Sequence, residues 1–309
     1  MTRRTTRVLL ALAAVSAAVL VVAALLLALA HRGRLSADWG AAAILHPWRR
    51  PLTRDPGLPH EDLAFTSGEA RLEGWLFRTT VERRGLVVYL HGIADNRQSG
   101  IGVAERLVPR RYDVLTFDGR AHGRSSGEAC TYGFRERHDV GRALDAVGAP
   151  RAILLGHSLG AAIALQAAAV DHRVVGVVAA SAFSDLPTIV RERSRWFLLP
   201  EPYVEEALRR AGELGGFPPA EASPVALAPR IEAPVLLLHG EDDFKTPPEH
   251  SRRIYEALGG PRRLVVFPGI EHDEILGHDE VWREIQAFLD ELATRPRAAG
   301  RTRTRGPAA

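Results

Sequence analysis

Six short apolar runs recur along the chain, and they constrain its fold more than any other feature. They read GLVVYLH (85–91), DVLTFD (113–118), AILLGH (152–157), VVGVVAAS (174–181), PVLLLHG (234–240) and RLVVFPG (263–269). Each is continuous rather than alternating, which suits a strand buried on both faces of a parallel sheet. Stretches with helical spacing lie between them, at about 98–109, 133–147, 159–171, 248–259 and 279–293. In the last, Val281, Ile285, Phe288 and Leu289 form one apolar stripe among charged residues. This alternation predicts an α/β domain, a mostly parallel sheet flanked by helices. Residues 62–67 and 71–78 alternate instead, with Gly68 between them, and predict a hairpin near a sheet edge.

One segment breaks the rhythm. Residues 182–230 hold no clear strand and are rich in Arg, Glu, Pro and aromatic residues. They read as a small helical cap over the C-terminal edge of the sheet. Trp196, Phe197, Leu198, Leu199 and Tyr203 could line a pocket there, or pack the cap onto the body.

A different feature stands ahead of the domain. Residues 8–30 are 23 in number, uncharged, with Ser16 the one polar side chain. A helix of that length spans roughly 34 Å, enough for a bilayer core of about 30 Å. The reading is a transmembrane anchor. A cleavable signal sequence is the rival, favoured by the small-x-small Ala28-Leu29-Ala30, but its apolar region is usually shorter. Arginines flank the run on both sides, and the short basic tail Arg3, Arg4, Arg7 tips the body outside the cytoplasm. The organisation expected is 1–34 anchor or signal, 35–60 linker, 61–293 folded domain, and 294–309 a basic tail too poor in apolar residues to fold.

Charge excludes one class of function. Ten arginines and no acid fall in residues 1–34 and 294–309, so the net +3 of the chain becomes −7 for residues 35–293. A mildly acidic body is not a nucleic-acid-binding one. Cys130 is the single cysteine, so no intrachain disulfide can form. The histidines lack metal-site spacing and no G-x-G-x-x-G follows the first strand, so neither metal nor cofactor is expected.

Gly156-His157-Ser158-Leu159-Gly160 is G-x-S-x-G between an apolar run and a helix. That context makes a nucleophile elbow, a sharp turn that lifts the serine above the sheet, with Gly156 and Gly160 leaving room for it. A serine hydroxyl needs a base and an orienting acid to become a nucleophile. The chain offers both in loops just past strands, where sites on open α/β sheets form. Asp243, with Asp242 as the alternative, follows PVLLLHG. His272 follows RLVVFPG, and His278 is the competing base nearer the last helix.

With LHGIADNR (90–97), DGRAHGRSSG (118–127), GHSLG (156–160), LHGEDDFKTP (238–247) and GIEHDE (269–274) in this order, the body resembles the α/β-hydrolases. It is most similar to serine hydrolases with a short helical cap, the monoglyceride-lipase-like and proline-aminopeptidase-like members. The resemblance covers roughly residues 60–293. It implies the α/β-hydrolase fold, Asp243 as the acid four residues after His239, His272 as the base, and Ile93 and Leu159 as backbone N–H donors of the oxyanion hole. The function it implies is a serine hydrolase of carboxylic esters, lipid esters or thioesters included, and the apolar run 8–30 makes that hydrolase a membrane-anchored one. An aminopeptidase-like amidase, an acyltransferase with the same triad and a non-catalytic binding module are the alternatives. His91, His239, His122, Asp118 and Arg120 read as loop braces, and Cys130 as a packed side chain.

Overall fold

Each apolar run becomes a strand because its side chains have a partner layer on both faces. A computed structural model describes residues 19–22, 24, 25, 28 and 36–294. Its sheet has eight strands: β1 (Glu61–Ser67), β2 (Ala70–Phe77), β3 (Gly85–Leu90), β4 (Tyr112–Phe117), β5 (Ala152–His157), β6 (Val174–Ala180), β7 (Val235–Gly240) and β8 (Arg262–Phe267). Their order is β1-β2-β4-β3-β5-β6-β7-β8. β2 runs antiparallel to both β1 and β4, and β4 through β8 are parallel.

Alternate residues of the central strands feed two separate cores, as a pleat of period two requires. Leu86, Val88, Leu90, Leu154, Val177 and Leu237 face one side; Val87, Tyr89, Leu155, Val178 and Leu236 face the other. The second core is closed by α2 (Ile101–Leu107) and α9 (Asp279–Thr294), through Ile101, Leu107, Val281, Trp282 and Phe288. The first is closed by α3 (Glu136–Ala146), α4 (Leu159–Ala168) and α8 (Glu249–Ala257). All ten residues of α4 are buried, mostly alanine and leucine, so this helix fills the centre of the domain.

The cap is α5 (Leu186–Ser194), α6 (Glu201–Gly215) and α7 (Pro224–Leu227). α5 starts where Asp185 accepts the Thr188 N–H at 2.8 Å, a side-chain N-cap. α6 buries Val204, Ala207, Leu208, Ala211 and Gly215 on one stripe. Gly216 ends it in the left-handed conformation, φ +61°.

The stretch 35–60 is not a bare linker. It holds helix α1 (Ala37–Leu45), which packs against α6. Ala41, Ile44 and Leu45 are buried, and Arg210 pairs with Asp38 at 2.6 Å. The carbonyls at its end are taken up by the body: Tyr132 donates to Ile44 O at 2.9 Å and the Cys130 N–H to Leu45 O at 2.8 Å. α1 is therefore part of the cap's support.

The apolar run 8–30 lies mostly outside the described residues, as does the tail beyond residue 294. Its described positions are helical, with Val19, Leu20, Val21, Val22 and Leu25 exposed. Among the described residues no helix is long and apolar enough to cross a membrane.

Candidate active site

β5 ends at His157, Ser158 turns, and α4 begins at Leu159. Ser158 has φ +54° and ψ −115°, a conformation that costs a non-glycine residue about 1–3 kcal/mol. Two backbone bonds hold it there. Its N–H donates to Ala180 O on β6 at 2.8 Å, and its C=O accepts from Ala162 at 3.1 Å. The turn works because the helix passes very close to the strand. A Cβ on Gly156 would lie 2.5 Å from the Ala161 nitrogen.

The loops after β7 and β8 reach back toward this serine. His272 Nε2 stands 2.9 Å from Ser158 Oγ, and its Nδ1 stands 2.6 Å from Asp243 Oδ2. A carboxylate only accepts, so Nδ1 carries the proton and Nε2 accepts from the serine hydroxyl. Ser158, His272 and Asp243 are 6%, 4% and 2% exposed, so the array is screened from bulk water. Asp242 is exposed and outside it. Asp273 pairs with Lys245 rather than with the His272 ring. His278 is half-buried, and its carbonyl caps α9 by accepting from Trp282.

Asp243 is held by more than His272. The Thr246 N–H donates to its Oδ1 at 2.8 Å, and His239 Nε2 lies 3.2 Å from Oδ2. The same His239 nitrogen donates to Thr246 O at 2.7 Å, while its Nδ1 accepts from Ser251 Oγ at 2.6 Å. Burial by itself would raise the Asp243 pKa. The hydrogen bonds from His239 and His272 outweigh it and keep the carboxyl well below the usual carboxylate range.

Nothing in the motif points to His157, the variable residue of the pentapeptide. Its Nε2 donates to the carbonyl of His272 at 2.9 Å, and the two rings lie 5.0 Å apart. It therefore ties the β8 loop to the elbow. Burial, then the neighbouring His272, lower its pKa to about 4. Only the folded position of His272 creates this role, so spacing could not reveal it.

On the other side of Ser158 lies the loop after β3. His91 Nδ1 donates to Gly92 O at 2.7 Å, and Nε2 accepts from the Gly119 N–H at 2.9 Å. Gly92 O and Ile93 N–H belong to one peptide plane, so His91 fixes where that N–H points. Among the described residues neither the Ile93 nor the Leu159 N–H has a hydrogen-bond acceptor. The next loop is tied by Asp118, which accepts from Arg97 N at 2.7 Å and Arg124 N at 2.8 Å. Arg120 makes a two-point contact with Asp139 at 2.9 and 2.6 Å. Cys130 is fully buried and its thiol pKa is pushed well up by that burial.

Above Ser158 opens a cleft of about 890 Å³ between the cap and the loops. Ile93, His157, Arg193, Trp196 and Leu276 line it with Ser158 and His272. Of the cap's aromatic stretch, Trp196 lines this cleft with about half of its surface exposed and its ring tilted 5.6 Å from that of Phe244, and Phe197 and Leu198 are more exposed still. Leu199 and Tyr203 pack toward the core. Among the described residues no cluster of three His, Cys, Asp or Glu could hold a metal ion.

Buried His122 and half-buried His157 make stability depend on pH. Burial, then His91, lower the pKa of His122 to about 3, and His157 is near 4. In the unfolded chain both return to about 6.5, so between these values the unfolded state binds more protons. Stability is full above about pH 6.5 and is lost as pH falls toward 4, at about 1.4 kcal/mol per pH unit for a histidine as buried as His122. A thermal series from pH 7.5 to 4.5 should show Tm falling below pH 6.5. A flat series would contradict neutral burial of these rings.

Known proteins agree with this architecture. A family model described as alpha/beta hydrolase fold matches residues 85–215, and one described as TAP-like protein matches residues 216–299. An uncharacterized protein of Mycobacterium tuberculosis is 30% identical over 235 residues, covering 74% of this chain and 78% of the relative. An esterase of Pyrococcus furiosus superposes with a TM-score of 0.66 at 23% identity, over 80% of this chain and 97% of that one. The acylaminoacyl peptidase of Pyrococcus horikoshii gives 0.60 at 16%, over 79% of this chain and 44% of that one. At these identities the two structures speak for the fold alone. Sheet order, elbow and family matches together place the chain in the α/β-hydrolase family.

Proposed function

We propose that this hydrolase cleaves carboxylic esters through an acyl-enzyme on Ser158. The hydrogen-bonded line from Asp243 through His272 to a strained Ser158 carries the reading. Ser158 Oγ attacks the ester carbonyl while His272 Nε2 takes the hydroxyl proton. Asp243 stabilises the imidazolium. The N–H groups of Ile93 and Leu159 receive the charge on the carbonyl oxygen, each worth about 10²–10³ in rate. Collapse expels the alcohol, which leaves with the proton from His272. A water molecule then attacks the acyl-serine, His272 again taking and returning the proton, and the carboxylic acid departs. No step calls for a cofactor.

The ester preference follows the resemblance to lipase-like serine hydrolases, and the substrate panel below decides it against amide cleavage. The apolar run 8–30 supports a membrane anchor with the body outside the cytoplasm, and lipid esters then come within reach.

A fluorophosphonate probe should label the protein and not Ser158→Ala. Equal labelling of both would refute the serine mechanism. A panel of acyl esters of graded length beside aminoacyl amides should show ester cleavage at least tenfold faster. The reverse order would make it an amidase. His91→Ala should lower kcat by about 10²-fold with KM little changed, because the Ile93 N–H loses its aim. An unchanged kcat would place the oxyanion elsewhere.

A further inference from the structure

The lining of the cleft holds four cationic side chains, and three have acid partners. Arg50 meets Asp95 at 3.1 Å, Arg106 meets Asp279 at 3.1 Å, and Lys245 meets Asp273. The fourth is Arg193, on cap helix α5. Among the described residues it has no carboxylate partner, and the one hydrogen bond of its side chain runs from Nε to Lys245 O at 3.3 Å. The two carboxylates whose charge reaches it are committed elsewhere. Asp243 is held by His272, His239 and Thr246, and Asp273 by Lys245.

Its orientation is imposed by its neighbours. Arg191 is clamped to Glu205 of α6 at 2.6 Å, and Glu192 accepts from His250 Nε2 at 2.8 Å, a buried histidine of α8. With 191 fixed to the cap and 192 to the body, 193 is left facing the cleft. The position is unfavourable for a cation without a counter-ion, since half-burial strips away water that the single bond to Lys245 O only partly replaces. Burial indeed pulls the Arg193 pKa down. Trp196, one turn further on, presents an aromatic wall to the same space.

We propose that Arg193 binds an oxyanion of the substrate, a carboxylate or a phosphate carried by an ester whose apolar part lies along Trp196. The guanidinium fork suits either group, with two parallel N–H donors. The inference rests on the ester-hydrolase reading for the word substrate, though not for the binding itself.

Binding is therefore tested apart from turnover. In the intact chain carrying Ser158→Ala, calorimetry with hexanoate, hexyl phosphate and hexanol should show at least one anion bound tenfold to a hundredfold tighter than the alcohol. The tighter anion identifies the source. Adding Arg193→Gln should erase the preference, and Arg193→Lys should restore part of it. In the parent protein, the ratio of kcat/KM for mono-4-nitrophenyl glutarate over 4-nitrophenyl butyrate should drop at least tenfold on Arg193→Gln. No preference for either anion, or an equal fall for both esters, overturns the proposal while leaving the hydrolase reading intact. Arg193-dependent anion binding without turnover of either ester sustains the anion site and overturns the hydrolase reading instead.

Discussion

Ser158→Ala should lower kcat/KM for an activated ester by about 10⁴-fold or more, with the fold unchanged. The size follows from geometry. Among the described residues Ser158 Oγ is the one hydroxyl hydrogen-bonded to His272 Nε2, at 2.9 Å, so its removal leaves that base without a nucleophile to activate. Asp243→Asn should cost about 10³–10⁴, for a different reason. Asp243 receives bonds from His272 and His239 through one oxygen and from Thr246 through the other. An amide keeps one accepting oxygen. If the Thr246 N–H holds it, the NH₂ faces His272 and forces the proton onto Nε2, where it can no longer accept from serine. Combining the two substitutions should cost little more than Ser158→Ala alone, because the residues act as one unit. Steady-state kinetics on an ester that the parent cleaves would settle it. More than a tenth of the activity left in Ser158→Ala would mean that water attacks directly.

The features legible in the sequence were those set by local chemistry. Apolar runs, turns and helix starts lie within ten or so residues, and the elbow needs only its pentapeptide and two flanking elements. The loops that hold Asp243 and His272 were readable because each lies just past a strand end, while the choice of Asp243 over Asp242 came from the resemblance. What escaped depends on partners far along the chain. α1 reads as linker because its buried face, Ala41, Ile44 and Leu45, is a short patch between Trp39 and Trp48, both exposed. Its partner α6 lies some 170 residues later, and only that contact makes the patch a core. The place of β2 between β1 and β4 is likewise a property of the whole sheet. In the cap, composition showed arginines and aromatics, but which arginine remained unpaired depended on where Glu205, His250 and Asp273 stood.

Gly160→Ala should have the largest effect on stability, and it acts through backbone alone. Gly160 lies in the first turn of α4, where that helix crosses the end of β3. A Cβ there would fall inside the Leu90 carbonyl and 2.7 Å from the His91 oxygen. Neither atom belongs to a flexible side chain that could swing aside. Relief would require β3 or α4 to shift, and both are packed on every side: Leu90 and Ala164 are buried in the same core. Any shift of β3 would also carry Gly92 and Ile93 away from Ser158. The cost belongs with the rare substitutions above about 4 kcal/mol, a large share of the 5–15 kcal/mol typical of a domain. Tm should fall by about 10 °C or more, or the protein should fail to accumulate in soluble form. Gly102→Ala is the matching control. That glycine is exposed on α2 with nothing within 4 Å of its added methyl, so alanine should stabilise by about 0.5–1 kcal/mol. A Gly160→Ala protein melting within 2 °C of its parent would mean that α4 and β3 can part without loss, and that the close approach on which the elbow depends is not required.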